Sequence, residues 1–170
     1  MELSKKERLI LINQYSILEK VDPANAKDYA NKRSALEAGY SLHYSWLFEW
    51  IDDDMPAEDC KEVLAILEMY RAIAFSYFRL NDTKQLTDSK YQFPGFDGNN
   101  EGRQYGYCSY FITELGRYQE LLYGNEFYDL NSHCPMLPKY KRMLEIWDGY
   151  GSIEAKMNLS QEQIEELLEA

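Results

Sequence analysis

A chain of 170 residues with 45% apolar and 28% charged residues has the make-up of an ordinary globular protein, large enough to bury about two-thirds of its unfolded surface in one domain spanning residues 1–170. A net charge of −11 argues against nucleic-acid partners, whose binding draws on Lys and Arg to displace counterions, and against anionic membrane surfaces. No apolar run approaches the ~20 residues that span a bilayer, and the N-terminal segment Met1-Glu2-Leu3-Ser4-Lys5-Lys6 reads without the apolar core of a signal peptide.

The first helix opens at Ser4, which forms a capping box with Glu7, and runs to about Val21. At about 100° per residue, Ile10, Leu11, Ile17, Leu18 and Val21 share one broad face. Gln14 falls at the centre of that face. A buried Gln needs partners for its amide, supplied either by a nearby loop or helix end or by a second chain whose register it fixes. Asp22-Pro23 then predicts a second helix with Asp as N-cap and Pro at the first helical position, and Gly39 is placed to end it. Residues 42–51 follow, with Tyr44, Trp46, Phe48 and Trp50. This segment is apolar nearly all round, which marks a buried or an interface helix. Trp46, Phe48 and Trp50 are more large aromatics than one short helix can hide. With Gln14 they are the candidate interface, and the partner they imply is a second copy of the chain.

Asp52-Asp53-Asp54-Met55-Pro56 breaks the chain and restarts it. The spacing predicts the longest helix over residues 56–80. Val63, Ile66, Leu67, Tyr70, Ile73, Ala74, Tyr77 and Phe78 cover most of its circumference, as in a central packed helix. Residues 92–101 are a cluster of Pro, Gly, Asp and Asn with two Phe inside it, so a packed irregular loop is expected here, the usual place for a site in a helical protein. A helix is expected over residues 99–122, with Tyr107, Phe111, Leu115, Tyr118 and Leu122 on its apolar face. Gly102, Gly106 and Gly116 on another face imply either close approach of a second backbone or a broken helix. Residues 123–135 are irregular. Residues 136–150 form an amphipathic helix with Leu137, Tyr140, Met143, Leu144 and Trp147 inward. Ser160 with Gln163 is a second capping box, and Leu159 with Ile164 a hydrophobic staple, so a last helix starts at Gln161. No alternating strand pattern is present. The fold class is all-α, multihelical, with a long central helix and the packed loop near residues 92–101.

No residue set specifies a reaction. Cys60, Cys108 and Cys134 are odd in number and widely spaced, which disfavours a disulfide framework and fits a reducing cytoplasm. With His43 and His133 they offer no metal-ligand spacing, so no metal and no cofactor are expected. The acidic run from Glu49 to Asp59 lacks the alternating ligands and central Gly of a calcium loop. No nucleophile elbow or phosphate-cradling loop occurs. What remains is a charged cluster of Asp97, Glu101, Arg103 and Arg117. It is either a polar pocket in which Arg holds a carboxylate or phosphate, or a set of caps and ion pairs in which Asp97 is the N-cap of the following helix.

Arg8-Leu9-Ile10-Leu11, Asn13-Gln14-Tyr15, Asp22-Pro23-Ala24-Asn25-Ala26, Glu68-Met69-Tyr70, Gly95-Phe96-Asp97, Gly116-Arg117-Tyr118, and Pro135-Met136 with Tyr140, Arg142-Met143-Leu144 and Trp147 together resemble the bacterial YfbU family, in order along nearly the whole chain. The resemblance implies a multihelical cytoplasmic bacterial protein that self-associates, and it brings no activity with it. Gln14, Asp97, Glu101, Arg103 and Arg117 match family positions. The stretch from Glu120 to Asp129 departs from the pattern, and no site is placed there. Two functions are therefore expected in turn: a non-catalytic, self-associating interaction or regulatory protein, or an enzyme or small-anion binder at the 92–103 loop and Arg117, its ligand unidentified.

Overall fold

The computed structural model describes residues 2–83, 85–125 and 128–170. Residues 126 and 127 of the irregular stretch 123–135, and Met1 of the N-terminal segment, lie outside the described residues. The fold is all-α: among the described residues there is no strand, only one isolated parallel bridge between Phe96 and Asn131. The chain gathers into two compact units, Met1–Asp54 and Met55–Ala170.

In the first unit, α1 (Lys5–Val21) pairs with α2 (Ala26–Ala38). The capping box forms as expected. Glu7 N–H donates to Ser4 Oγ at 3.3 Å, and Ser4 N–H donates to Glu7 Oε2 at 2.8 Å. Asp22 does not cap α2. Its Oδ2 is taken by Asn25 Nδ2 and by the Tyr29 hydroxyl, both at 2.9 Å, so Pro23 opens a 3-10 turn, Pro23–Asn25, and α2 begins one turn later. Gly39 ends α2 in the left-handed region, φ +77°, as expected. Arg33 on α2 donates from Nε to Glu19 on α1 at 2.6 Å, and Arg8 Nη1 donates to the Leu36 carbonyl at 3.0 Å.

The aromatic segment is not an α-helix. Residues Ser41–Leu47 form a 3-10 helix. Its three-residue period lines up Tyr44 and Leu47, which are buried with Leu36. The same period puts His43 and Trp46 together on another side, ring centroids 4.3 Å apart.

In the second unit, α3 (Ala57–Leu80) is the central helix. Val63, Ile66, Leu67, Met69, Tyr70 and Ile73 are buried along it. The irregular loop packs down as expected, with Phe93 and Phe96 fully buried. They join Tyr70 and Tyr140 in an aromatic cluster with ring centroids 5.0–6.0 Å apart. The Tyr140 hydroxyl donates to the Gly95 carbonyl and the Tyr128 hydroxyl to that of Phe93, both at 2.6 Å. Gly95 sits at φ +89°, and a Cβ there would fall 1.8 Å from the Leu130 carbonyl oxygen, so only glycine fits.

The helix expected over residues 99–122 is much shorter. α4 (Gly102–Ser109) passes into a single π turn, Tyr110–Glu114. Gly116, at φ +63°, then ends it, and the chain resumes as a 3-10 turn, Gln119–Leu122. The broken-helix alternative therefore holds. A Cβ at Gly102, Gly106 or Gly116 would meet nothing within 4 Å, so no second backbone packs there among the described residues, and Leu115 is exposed rather than part of an apolar face. α5 (Leu137–Gly149) buries Tyr140, Met143 and Trp147. A short α6 (Ile153–Met157) precedes α7 (Gln161–Leu168). The second capping box forms, and Leu159 and Ile164 are both fully buried.

Candidate functional site

The junction of the 92–101 loop with α4 holds two buried carboxylates. Asp97 makes a turn of its own. Its Oδ1 accepts the Asn99 N–H at 2.9 Å and its Oδ2 accepts Asn100 Nδ2 at 2.6 Å. The Asn100 amide and the Asn99 N–H hold its carboxyl below the usual value. It is not the N-cap of α4, because the turn it stabilises delays the helix to Gly102. Glu101 takes the N-cap position there.

Glu101 also ties the loop to α5. Its Oε2 accepts the Asp97 N–H at 3.0 Å, and its Oε1 accepts the N–H groups of Met136 and Leu137, both at 2.7 Å. Those two donors open α5, where the helix dipole favours a negative charge. Arg103 and Arg117 are exposed, and neither guanidinium makes an ion pair or hydrogen bond among the described residues. Of the four candidate ligand-binding residues, the structure thus joins Asp97 and Glu101 through backbone bonds and joins neither arginine to them.

A different charged cluster, missed from the sequence, lies on α3 and the 118–122 turn. Arg71 Nε donates to Glu120, and its Nη1 lies 3.6 Å from Glu68 Oε2. The guanidinium stacks 3.8 Å from the centroid of the Tyr118 ring. The Tyr118 hydroxyl donates to Glu68 Oε2 at 2.7 Å, and its pKa is pushed up to about 12 by burial and by that carboxylate. Two carboxylates satisfy one guanidinium, so no net positive charge remains to draw an anion, and the arrangement clamps the turn to α3. Beside it opens a cleft of about 540 Å³ lined by Phe78, Leu86, Glu120 and Tyr123 among others. Only Glu68 and Arg71, three apart on one helix, were a local signal of the clamp; its other half comes from residues about fifty positions away.

The candidate interface residues all lie in the first unit. Gln14 is exposed and not the buried amide expected of it. The broad apolar face of α1 splits, with Leu11 and Leu18 half-buried while Ile10, Ile17 and Val21 stand in solvent. Gln14 lies within that outer stripe. Trp46 and Trp50 are exposed, Trp50 at 76%, whereas Phe48 is half-buried against Leu36, Tyr44 and Leu47.

Among the described residues no helix is long and apolar enough to cross a membrane, and no group of three or more His, Cys, Asp or Glu is placed to hold a metal ion. Comparison with known proteins matches residues 1–170 to the YfbU domain. The UPF0304 protein of Actinobacillus succinogenes is 34% identical over 174 aligned residues that cover the whole of both chains. A match over the full length, together with the all-α architecture, shows that the chain belongs to the YfbU family.

Proposed function

We infer that this is a non-catalytic, self-associating interaction protein whose contact surface lies in residues 1–54, and that its partner there is a second copy of the same chain. One observation carries the reading. Of the fourteen large apolar side chains exposed among the described residues, nine belong to this unit: Leu9, Ile10, Ile17 and Val21 on α1, and Tyr40, Leu42, Trp46, Trp50 and Ile51 after α2. All nine are more than half exposed, whereas four of the five in the larger unit are less than half exposed. Side chains of this size at that exposure present on the order of 100 Å² each. Together they approach the ~800 Å² that one partner gives to a standard interface. Ile10, Gln14, Ile17 and Val21 follow steps of four, three and four, the spacing of a paired-helix seam, and one polar residue in such a seam fixes register. Three unpaired thiols, at Cys60, Cys108 and Cys134, suit a cytoplasmic setting.

Light scattering tests the reading. A particle of at least twice 20.1 kDa is expected at micromolar concentration, with Ile17→Glu shifting it toward the single-chain mass. A wild-type protein that stays at the single-chain mass overturns it.

A further inference from the structure

Where α2 ends, the first unit contains a cleft of about 400 Å³, lined by Glu2, Leu3, Arg8, Ala38, Gly39 and Tyr44 among others. Small-ligand pockets span ~300–1,000 Å³. Two hydrogen-bond donors reach this cleft without partners. Arg8 is half-buried and makes no ion pair among the described residues, although Glu2 lines the same cleft. Of its guanidinium nitrogens, Nη1 donates to the Leu36 carbonyl and Nε is shut off from solvent, whereas Nη2 is neither bonded nor shut off. Tyr44 is only 4% exposed, with its ring buried against Leu36 and Leu47. Its hydroxyl makes no hydrogen bond among the described residues and is not shut off either, so the polar end of a core side chain opens onto the cleft. Gly39 lets the two donors converge. A Cβ there would fall 2.9 Å from Arg8 Nη1 and 3.9 Å from the Tyr44 hydroxyl, so any other residue would crowd the guanidinium. A guanidinium drawn inward with no counter-charge is costly, and an acceptor in the cleft relieves that cost.

We propose that this cleft binds a short aliphatic monocarboxylate. One carboxylate oxygen accepts from Arg8 Nη2 and the other from the Tyr44 hydroxyl, while the alkyl chain lies against Leu3 and Ala38. Charge sets the ligand class. The cleft lies at the C-terminal end of α2, the negative end of its dipole, and Glu2 stands beside it. One negative charge on the ligand is matched by Arg8, and a second would face Glu2 and the last carbonyls of α2. Phosphate is disfavoured for a further reason. Its usual arginine partner is a two-pronged fork, and here Nη1 is already bonded and Nε is covered. None of the six lining side chains is among the nine exposed apolar ones assigned to self-association, so the two surfaces draw on different residues.

NMR titration of the isotope-labelled full chain tests this at neutral pH with butyrate, butyramide, succinate and inorganic phosphate. Butyrate at millimolar concentration should shift the backbone amides of Ala38, Gly39 and Ser41 saturably. Butyramide has the same shape without the charge and should bind about tenfold more weakly or worse, and succinate and phosphate several-fold more weakly. Tyr44→Phe keeps the buried ring and removes the donor, so it should weaken butyrate several-fold. Arg8→Lys keeps the positive charge but has one ammonium to share between the Leu36 carbonyl and the ligand, and should weaken butyrate by about tenfold. Should one variant fail to fold, the other carries the comparison. No saturable shift with butyrate up to tens of millimolar overturns the proposal. So does succinate or phosphate binding as tightly as butyrate, or unchanged butyrate binding in a folded variant. Light scattering on the same samples keeps this site apart from self-association. An associated particle that ignores butyrate refutes only the site, and a single-chain particle that binds it refutes only the association.

Discussion

Glu101→Ala should be among the most damaging single substitutions in the larger unit, although its side chain is neither apolar nor part of the aromatic cluster. The glutamate is 5% exposed and accepts three backbone N–H groups, from Asp97, Met136 and Leu137. Removing it leaves three donors unpaired in a region from which water is largely excluded. A hydrogen bond to a charged acceptor contributes ~1.5–3 kcal/mol net, and an unpaired buried donor costs ~1–3 kcal/mol. The three bonds share one carboxylate and do not add in full, so a loss of about 3–5 kcal/mol is expected, against a total stability of ~5–15 kcal/mol for a typical protein. Glu101→Gln separates geometry from volume. Its amide oxygen can still accept from Met136 and Leu137, while its NH2 faces the Asp97 N–H, donor against donor. The loss should be smaller, about 1–2 kcal/mol. Urea melts of the three proteins, read by circular dichroism, give both numbers. A loss below ~1 kcal/mol for Glu101→Ala would refute the reasoning and return Glu101 to the list of candidate ligand groups.

Two further outcomes follow from burial. The hydroxyls of Tyr70, Tyr123 and Tyr140 are pushed up from the ordinary 10.0, chiefly by burial. A raised folded pKa means that the stabilisation is complete below about pH 10 and is lost as the pH rises beyond it. Tyrosinate absorbance of these rings should therefore appear together with loss of the helical dichroism, and titration near 10 with the fold intact would contradict their placement. Among the thiols, burial pushes Cys108 up to about 12, while Cys134 is exposed. Because the thiolate is the reacting form, a native thiol titration should label Cys134 quickly and Cys108 only on unfolding. Equal rates would place Cys108 at the surface.

The elements legible in the sequence were those with local causes. α3 and α5 follow from apolar periodicity, α1 and α7 from capping boxes, and the buried loop from two Phe set among turn residues. Asp22 and Asp97 were misread for local reasons, their carboxylates being taken by neighbours a few residues on, but other misreadings have a non-local cause. Tyr118, a non-glycine residue at φ +52°, is held by Glu68 and Arg71 some fifty positions earlier, so the end of α4 could not be found from periodicity. The role of Glu101 depends on Met136 and Leu137, thirty-five and thirty-six residues on. From the sequence it could be either one acid of a pocket or a member of a set of caps and ion pairs. A helical wheel shows that α1 has a broad apolar face. It cannot show that Leu11 and Leu18 turn inward while Gln14 and its apolar neighbours turn out.

That outward stripe is easier to understand from how little the first unit buries. Among the described residues of this unit only Leu36, Tyr44 and Leu47 are buried apolar side chains, and α1, seventeen residues long, has none. A unit this small is marginal even with a well-formed core, and such units rely on disulfides, a metal or oligomerisation. Neither of the first two is found among the described residues of this unit. No cysteine occurs before Cys60, and His43 is the unit's one histidine, with no metal-binding group among the described residues. The ion pairs of Arg33 with Glu19 and Glu37 are near the surface, where such contacts contribute ~0–1 kcal/mol. The self-association proposed above would supply the third, using the apolar side chains already turned outward. In that proposal, fold and association depend on the same residues. An exposed substitution elsewhere changes stability by about 0.5 kcal/mol or less. If the proposed association holds, Ile17→Glu, in the outer stripe of α1, should instead weaken the first unit's helices as it dissociates the particle, because the surface it spoils would be the one that completes their burial.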